Sequence, residues 1–391
     1  MHNETNQTNY ITYMLTTSVY VSGDREAADS HDVIEIDTER YRFNKRSLTA
    51  TTNDATDVNV DAELINDERF RLSRYASMHE HFDDSKSATT YCGQAPRKAL
   101  MSRACQWMRD TNNYLINPNR LKINNTYNMI FVDDKRKILY CEVPKVACTS
   151  WKVFFANLSQ NLTSKQRDDL YWQVHDTRFH PRLGFKYLKH YSPEERDYRL
   201  KNYYKFMVVR NPYSKVISAW QNKFEPDSIQ AKWYQVNVGG YILHHYRKNA
   251  SAQEMKTGKY VSFEEFIKFV GNPNEGFNQR YDAHWWNMHS VCSPCLFNYD
   301  HIAKLETLPE DFESIREHIE PGRPLTLPYL NANTKSKALA EQKKIETFFS
   351  HVSEVDLARL KQAYSADLTS FGYSMFDNSL ECSLNYHNRT S

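Results

Sequence analysis

Nowhere in its 391 residues does the chain hold an unbroken apolar run of about 20 residues, the length a membrane-spanning helix requires. The nearest approach, Tyr10 to Val21, is short, broken by Thr and Ser, and lacks the basic flank of a secretory signal. Glycine is scarce, at 10 residues, which excludes collagen-like and flexible-linker compositions. There is no G-x-x-x-x-G-K-[S/T] string, so a Walker A loop is excluded. Cys292-x-x-Cys295 has no second C-x-x-C or His pair at finger spacing, which argues against a zinc finger. What is present suits a large globular core: 40% apolar and 25% charged residues. The 26 Tyr, 20 Phe and 7 Trp fit a Tyr-rich core better than a sugar-binding surface, ring for ring.

The net charge of +2 hides an asymmetry. Residues 1–90 carry 17 acidic and 9 basic side chains, which leaves a balance of +10 for the rest. Residues 182–223 alone hold 10 Lys/Arg against Glu194, Glu195 and Asp197. A basic body suits an anionic partner, either nucleotide phosphates or an acidic polysaccharide, although a solvated basic face has the same composition. Seven cysteines (92, 105, 141, 148, 292, 295 and 382) leave at least one without an intrachain partner. Asn-x-Ser/Thr sequons at Asn3, Asn6, Asn124, Asn157, Asn161, Asn249 and Asn388 point to a lumenal or secreted route. In that setting Cys292 and Cys295 read as structural disulfide partners, with pairing left open, and Cys148 as a small buried thiol.

Residues 1–95 are acidic and weakly periodic, and read as a disordered stem; 96–378 form the folded domain; 379–391 are a tail. Ala99 to Met108 shows helical spacing. Two apolar runs, residues 128–132 and 138–143, flank a charged turn and predict a hairpin. Pro144 ends it, and after a loop Trp151 to Leu158 predicts a helix. Phe206 to Val209 reads as a strand buried on both faces, followed by a helix over Tyr213 to Phe224. Ser262-Phe263-Glu264-Glu265 has the form of a capping box. Strands alternating with helices predict an α/β fold with a mainly parallel central sheet flanked by helices.

Two segments carry chemistry. Pro144-Lys145-Val146-Ala147-Cys148-Thr149-Ser150-Trp151 places a lysine, hydroxyls and a row of N–H donors at a helix start, where an anion is stabilised. Arg210-Asn211-Pro212-Tyr213-Ser214-Lys215-Val216-Ile217-Ser218 places an arginine at the carboxyl end of a strand and a serine eight residues later on a helix. Ligands of open α/β sheets bind at such strand ends, and a guanidinium grips phosphate through two hydrogen bonds.

Together these segments resemble the Golgi carbohydrate sulfotransferase family, most closely the group of chondroitin and dermatan 4-O-sulfotransferases and the HNK-1 sulfotransferase. A third block agrees: His284-Trp285, Cys292-Ser293-Pro294-Cys295, Tyr299-Asp300 and Lys304-Leu305-Glu306-Thr307-Leu308. The likeness runs from about residue 100 to residue 375. It implies a nucleotide-kinase-like P-loop fold and 3′-phosphoadenosine 5′-phosphosulfate as sulfuryl donor, with no metal required. It implies that Pro144 to Trp151 hold the 5′-phosphosulfate, with Lys145 at the bridging oxygen, and that Arg210 to Ser218 hold the 3′-phosphate. His175 is the implied general base, with His284 the runner-up. The implied partner is an acidic glycan, with sulfation at the 4-hydroxyl of N-acetylgalactosamine in chondroitin or dermatan, and no nucleic acid. HNK-1-type glucuronate, N-glycan N-acetylgalactosamine and a silent glycan-binding role are the alternatives. A Golgi-lumen, type II membrane-anchored location is implied, with the anchor not visible in this sequence. The chain departs from the family pattern at Asn211, usually acidic, at Lys215, usually arginine, and at Ser150, commonly asparagine.

Overall fold

The computed structural model describes residues 93–110, 123–159, 170–175, 177–225, 231–272, 282–328 and 335–374. The acidic segment 1–95 lies outside them except for Gly93, Gln94 and Ala95, and so does the tail 379–391. Cys92, Cys382, Asn161 and Asp176 also lie outside.

The helix expected at Ala99–Met108 is longer, α1 at Gln94–Asp110, with Leu100, Ala104 and Met108 buried along one face. Arg97, in its first turn, is buried against Asp311 and Thr307. The charged turn then makes its hairpin: β1 (Ile130–Asp133) pairs antiparallel with β2 (Ile138–Cys141). Asp133 closes the turn by accepting from the Arg136 backbone and guanidinium, at 3.0 and 2.7 Å. After β2 come α2 (Cys148–Ser159), the short β3 (Lys186–Tyr187), α3 (Pro193–Asn202), β4 (Tyr204–Val209) and α4 (Pro212–Phe224). The capping box at Ser262 opens α5 (Phe263–Gly271), its Oγ accepting from Glu265 N. The chain continues through β5 (His301–Lys304), α6 (Leu308–Ile319), α7 (Lys335–Phe349) and α8 (Glu354–Ala363).

The sheet order is β3-β1-β2-β4-β5. β2, β4 and β5 run parallel, whereas β1 is antiparallel to both its neighbours. The sheet is therefore mixed, which corrects the mainly parallel expectation. The hairpin supplies β1 as an antiparallel strand, and β3 then adds to its free edge. The parallel half holds the two strand–loop–helix units, so the carboxyl ends of β2 and β4 open side by side. α2 packs on the sheet through tilted ring pairs. Trp151, fully buried, lies 4.7 Å from Phe206 and 5.5 Å from Tyr140. Phe155 lies 4.6 Å from Phe131. Much of the aromatic content is thus core. Among the described residues, no helix is long and apolar enough to cross a membrane.

The two cysteines of the C-x-x-C segment have different partners. Cys295 is bonded to Cys105 on α1, and Cys292 to Cys141 at the end of β2. The second bridge spans 151 residues of sequence and ties the strand that feeds the Pro144–Trp151 loop to the segment around residue 290. A cross-link over so long a loop removes much unfolded-chain entropy. Replacing Cys141 and Cys292 together by serine is expected to cost about 2–5 kcal/mol of stability, read as a lowered urea midpoint with a steeper slope, because the uncrosslinked chain unfolds to a more open state. An unmoved midpoint would show that the bridge contributes nothing.

Candidate active site

The loop from β2 into α2 turns tightly without glycine. Lys145 (φ 68°) and Ala147 (φ 55°) both take left-handed backbone conformations, uncommon for residues with a side chain. Val146 between them is fully buried and anchors the loop, while Lys145 and Ala147 stay partly open. Helix α2 starts at Cys148, three residues before the expected Trp151, so Thr149 and Ser150 belong to its first turn. The N–H groups of a first turn have no acceptor within the helix. This loop therefore combines donors, a dipole end and a cation, which is the set an anionic phosphate needs.

Lys145 is the cation of that set. Lys152, the other lysine of the motif, is spent on Glu142 at 2.5 Å, and Tyr187 OH donates to the same carboxylate at 2.8 Å. No carboxylate among the described residues pairs with Lys145. Burial first, then the nearby charges of Lys223 and Arg210, bring its ammonium down to about 8. The Cys148 thiol is pushed up by burial and by Glu142, which makes it inert rather than nucleophilic.

Arg210 leaves the end of β4 and turns back to this loop. Its Nη1 donates to the Lys145 carbonyl at 3.1 Å and its Nη2 to Glu341 Oε1 at 2.6 Å. The two sequence-predicted motifs thus meet through a direct hydrogen bond. The next residues build the helix that follows. Asn211 caps α4 by accepting from Tyr213 N at 2.9 Å, and its Nδ2 donates to the Ser374 carbonyl at 3.1 Å. An acidic residue here could cap but could not make the second bond, so the departure to Asn has a physical use. Pro212, Tyr213, Ser214, Val216 and Ile217 are buried, and Ser218 is half-buried.

Lys215 goes elsewhere. Its ammonium is fully buried and donates to the carbonyls of Ala283, His284 and Trp286 at 3.2, 2.9 and 2.8 Å. All three ammonium protons are thereby used, which suits a buried cation. Its role is to position the 283–286 segment rather than to touch a phosphate.

That segment forms the third wall. Asp282 Oδ1 meets His284 Nδ1 at 2.5 Å, and Tyr234 OH donates to Asp282 Oδ2 at 2.9 Å. Burial opposes ionisation of Asp282, but the bond to His284 and the other donors hold its carboxyl below the usual range. Lys223, from α4, lies over the Tyr234 ring at 4.3 Å. On the opposite side, His175 Nε2 is 3.1 Å from Thr149 Oγ1 of the first loop. Burial and the charges of Lys152, Lys223 and Lys145 hold His175 down to about 4. Burial likewise lowers His284, with Lys223 and Lys145 adding to the effect and Asp282 opposing it. Lys223 and Lys145 thus act on both imidazoles.

Glu341, Tyr234, Asp282 and Lys223 were missed by the sequence reading. Asp282-x-His284 was the available signal, since a short turn can bring i and i+2 side chains together; Glu341 gave none, lying 131 residues from Arg210. Aromatic rings line the way to both imidazoles: Tyr171 lies 5.5 Å from His175 with Trp172 beside it, and Tyr234 lies 5.5 Å from His284 with Trp233 5.0 Å behind it. Trp172 is 62% and Trp233 61% exposed.

Comparison with known proteins points to one family. A profile described as "Sulfotransferase family" matches residues 128–374. The chain is 30% identical over 313 residues to carbohydrate sulfotransferase 11 of Mus musculus, which covers 80% of this chain and 81% of that protein. It is 29% identical over 293 residues to carbohydrate sulfotransferase 8 of Homo sapiens, covering 74% and 65% respectively. It is 32% identical over 255 residues to carbohydrate sulfotransferase 10 of Xenopus laevis, covering 62% and 67%. No solved structure matches.

Proposed function

The chain belongs to the carbohydrate sulfotransferases of the sulfotransferase family, and on that footing we propose that it moves a sulfuryl group from 3′-phosphoadenosine 5′-phosphosulfate to the 4-hydroxyl of N-acetylgalactosamine in chondroitin or dermatan. The observation that carries the donor assignment is the hydrogen bond from Arg210 to the Lys145 carbonyl. It sets two anion-binding loops side by side, as a nucleotide with phosphates at both ends of its ribose demands. The strand–loop–helix units that present these loops support a nucleotide-kinase-like donor half.

In this reading the first-turn N–H groups of α2 and Thr149 hold the 5′-phosphate, and Arg210 and Ser218 hold the 3′-phosphate. Lys145 steadies the charge that grows on the bridging oxygen as its bond to sulfur breaks. His175 takes the proton of the acceptor hydroxyl as the new oxygen–sulfur bond forms. Its low pKa leaves it neutral, and therefore able to accept, at physiological pH. Positioning does much of the rest. His284 is the second candidate for the base, favoured by one observation: Asp282 orients its ring.

The acceptor side is supported by aromatic faces and charge. Trp172 and Trp233 are exposed, each next to the tyrosine ring that meets one of the imidazoles, and offer flat apolar surfaces to sugar rings. Beyond Asp176, residues 177–190 contain no acid, and Arg178, Arg182, Lys186 and Lys189 are exposed along them. Such a strip suits a polyanionic chain rather than a neutral one. The two disulfides support a place in the oxidising Golgi lumen.

Radiolabelled sulfate transfer to a panel of desulfated glycans tests the proposal. Label is expected on desulfated chondroitin and dermatan. Preference for a neutral N-glycan or an HNK-1-type glucuronate acceptor would overturn the acceptor. Donor-product binding without transfer to any acceptor would overturn the enzyme reading.

A further inference from the structure

Glu341 is the one carboxylate bonded to Arg210 among the described residues. The pair closes at 2.6 Å, with the guanidinium largely buried and the carboxylate partly so. Among the described residues, the Arg210 guanidinium is otherwise bonded only through Nη1, to the Lys145 carbonyl. Glu341 thus occupies the open side of the guanidinium that the proposed function needs for a phosphate.

The position is held from behind. Glu341, Ile345 and Phe349 recur every fourth residue along one face of α7, and the last two are buried. Phe349 meets the Tyr213 ring at 5.3 Å and Phe263 at 5.1 Å, while Phe348 meets Trp220 at 5.8 Å. Helix α7 is thereby clamped to α4 and α5, and the Glu341 side chain can move while its helix stays. Burial works against its charge, but Arg210, then the Ser214 hydroxyl and Lys344, keep its carboxyl below the ordinary range, so it is ionised at neutral pH.

A phosphate arriving at Arg210 meets that carboxylate at close range. Like charges so near one another are costly, so the two compete for one guanidinium. A dianionic phosphate with more acceptor oxygens prevails over a single carboxylate. A nucleotide without a 3′-phosphate leaves the Arg210–Glu341 pair undisturbed. Resting on the donor assignment above, we propose that Glu341 is a specificity-determining residue: it competes with the nucleotide 3′-phosphate for Arg210, and by returning to Arg210 it hastens release of the desulfated product.

Isothermal titration calorimetry of the full chain with adenosine 3′,5′-bisphosphate and with adenosine 5′-phosphate tests this. Glu341→Gln keeps shape and removes charge. It is expected to bind the bisphosphate about three- to tenfold more tightly, the range for releasing one partly buried charge pair, and the monophosphate with unchanged affinity. Glu346→Gln, on the exposed side of the same helix, makes the same change in net charge and is expected to alter neither. Unchanged or weaker bisphosphate binding in Glu341→Gln overturns the inference. Equal tightening for both nucleotides also overturns it, by showing a general field effect. If the unaltered protein binds no bisphosphate, the donor assignment itself fails and the inference goes with it.

Discussion

Lys145→Ala is expected to lower kcat for sulfuryl transfer by about 10²–10³-fold, the range for removing one preorganised donor from a developing charge. Binding of adenosine 3′,5′-bisphosphate should weaken far less. Lys145 is the loop cation with no carboxylate partner among the described residues, whereas Lys152 is neutralised by Glu142. The strained turn at residues 145 and 147 holds its backbone, so the loss is of charge at one place rather than of the loop. On the proposed reading the product nucleotide would keep its contacts with the α2 N–H groups and Arg210. Near-normal turnover in Lys145→Ala, with structure intact by circular dichroism, would remove Lys145 from the mechanism.

His175→Ala should lose about 10²–10⁴-fold in kcat, the usual worth of a positioned base. His284→Ala is expected to lose less. Equal or reversed losses would transfer the role to the Asp282–His284 pair. The pH profile of kcat/KM supplies an independent check, because it reports groups of the free enzyme. His175 accepts a proton only when neutral, so activity should rise as pH climbs through about 4. Lys145 stabilises negative charge only when protonated, so activity should fall as pH climbs through about 8. Removing the imidazole should abolish the acid limb and leave the alkaline one.

The parts of this architecture governed by local rules could be read from the chain. The turn at residues 133–137, the capping box at Ser262 and the continuous apolar strand before Arg210 each follow from neighbours in sequence, and each forms where expected. The juxtaposition of Lys145 and Arg210 was implied by the carboxyl ends of two strands, and here those strands are adjacent and parallel. The mixed sheet was less legible, because nothing local tells on which edge a two-residue strand such as β3 will add. Lys215 shows another limit. A lysine in a basic motif reads as a ligand contact, yet tertiary packing buries it under three carbonyls contributed from about 70 residues away. Cysteine pairing, which the sequence leaves open, is likewise decided by contacts far apart in the chain. Cys292 and Cys295 are close in sequence, but Ser293 between them takes a left-handed conformation that separates two short helices, and each thiol meets a different element.

The Cys141–Cys292 bridge gives the site a history as well as a shape. Cys292 leaves the ribosome long after β2, so the donor loop waits for the later half of the chain before it can be tied down. A copy retained among glutathione-reduced thiols would keep these two walls unfastened and remain dormant. Passage into an oxidising compartment would then be the maturation step, and competence for transfer would arrive together with export.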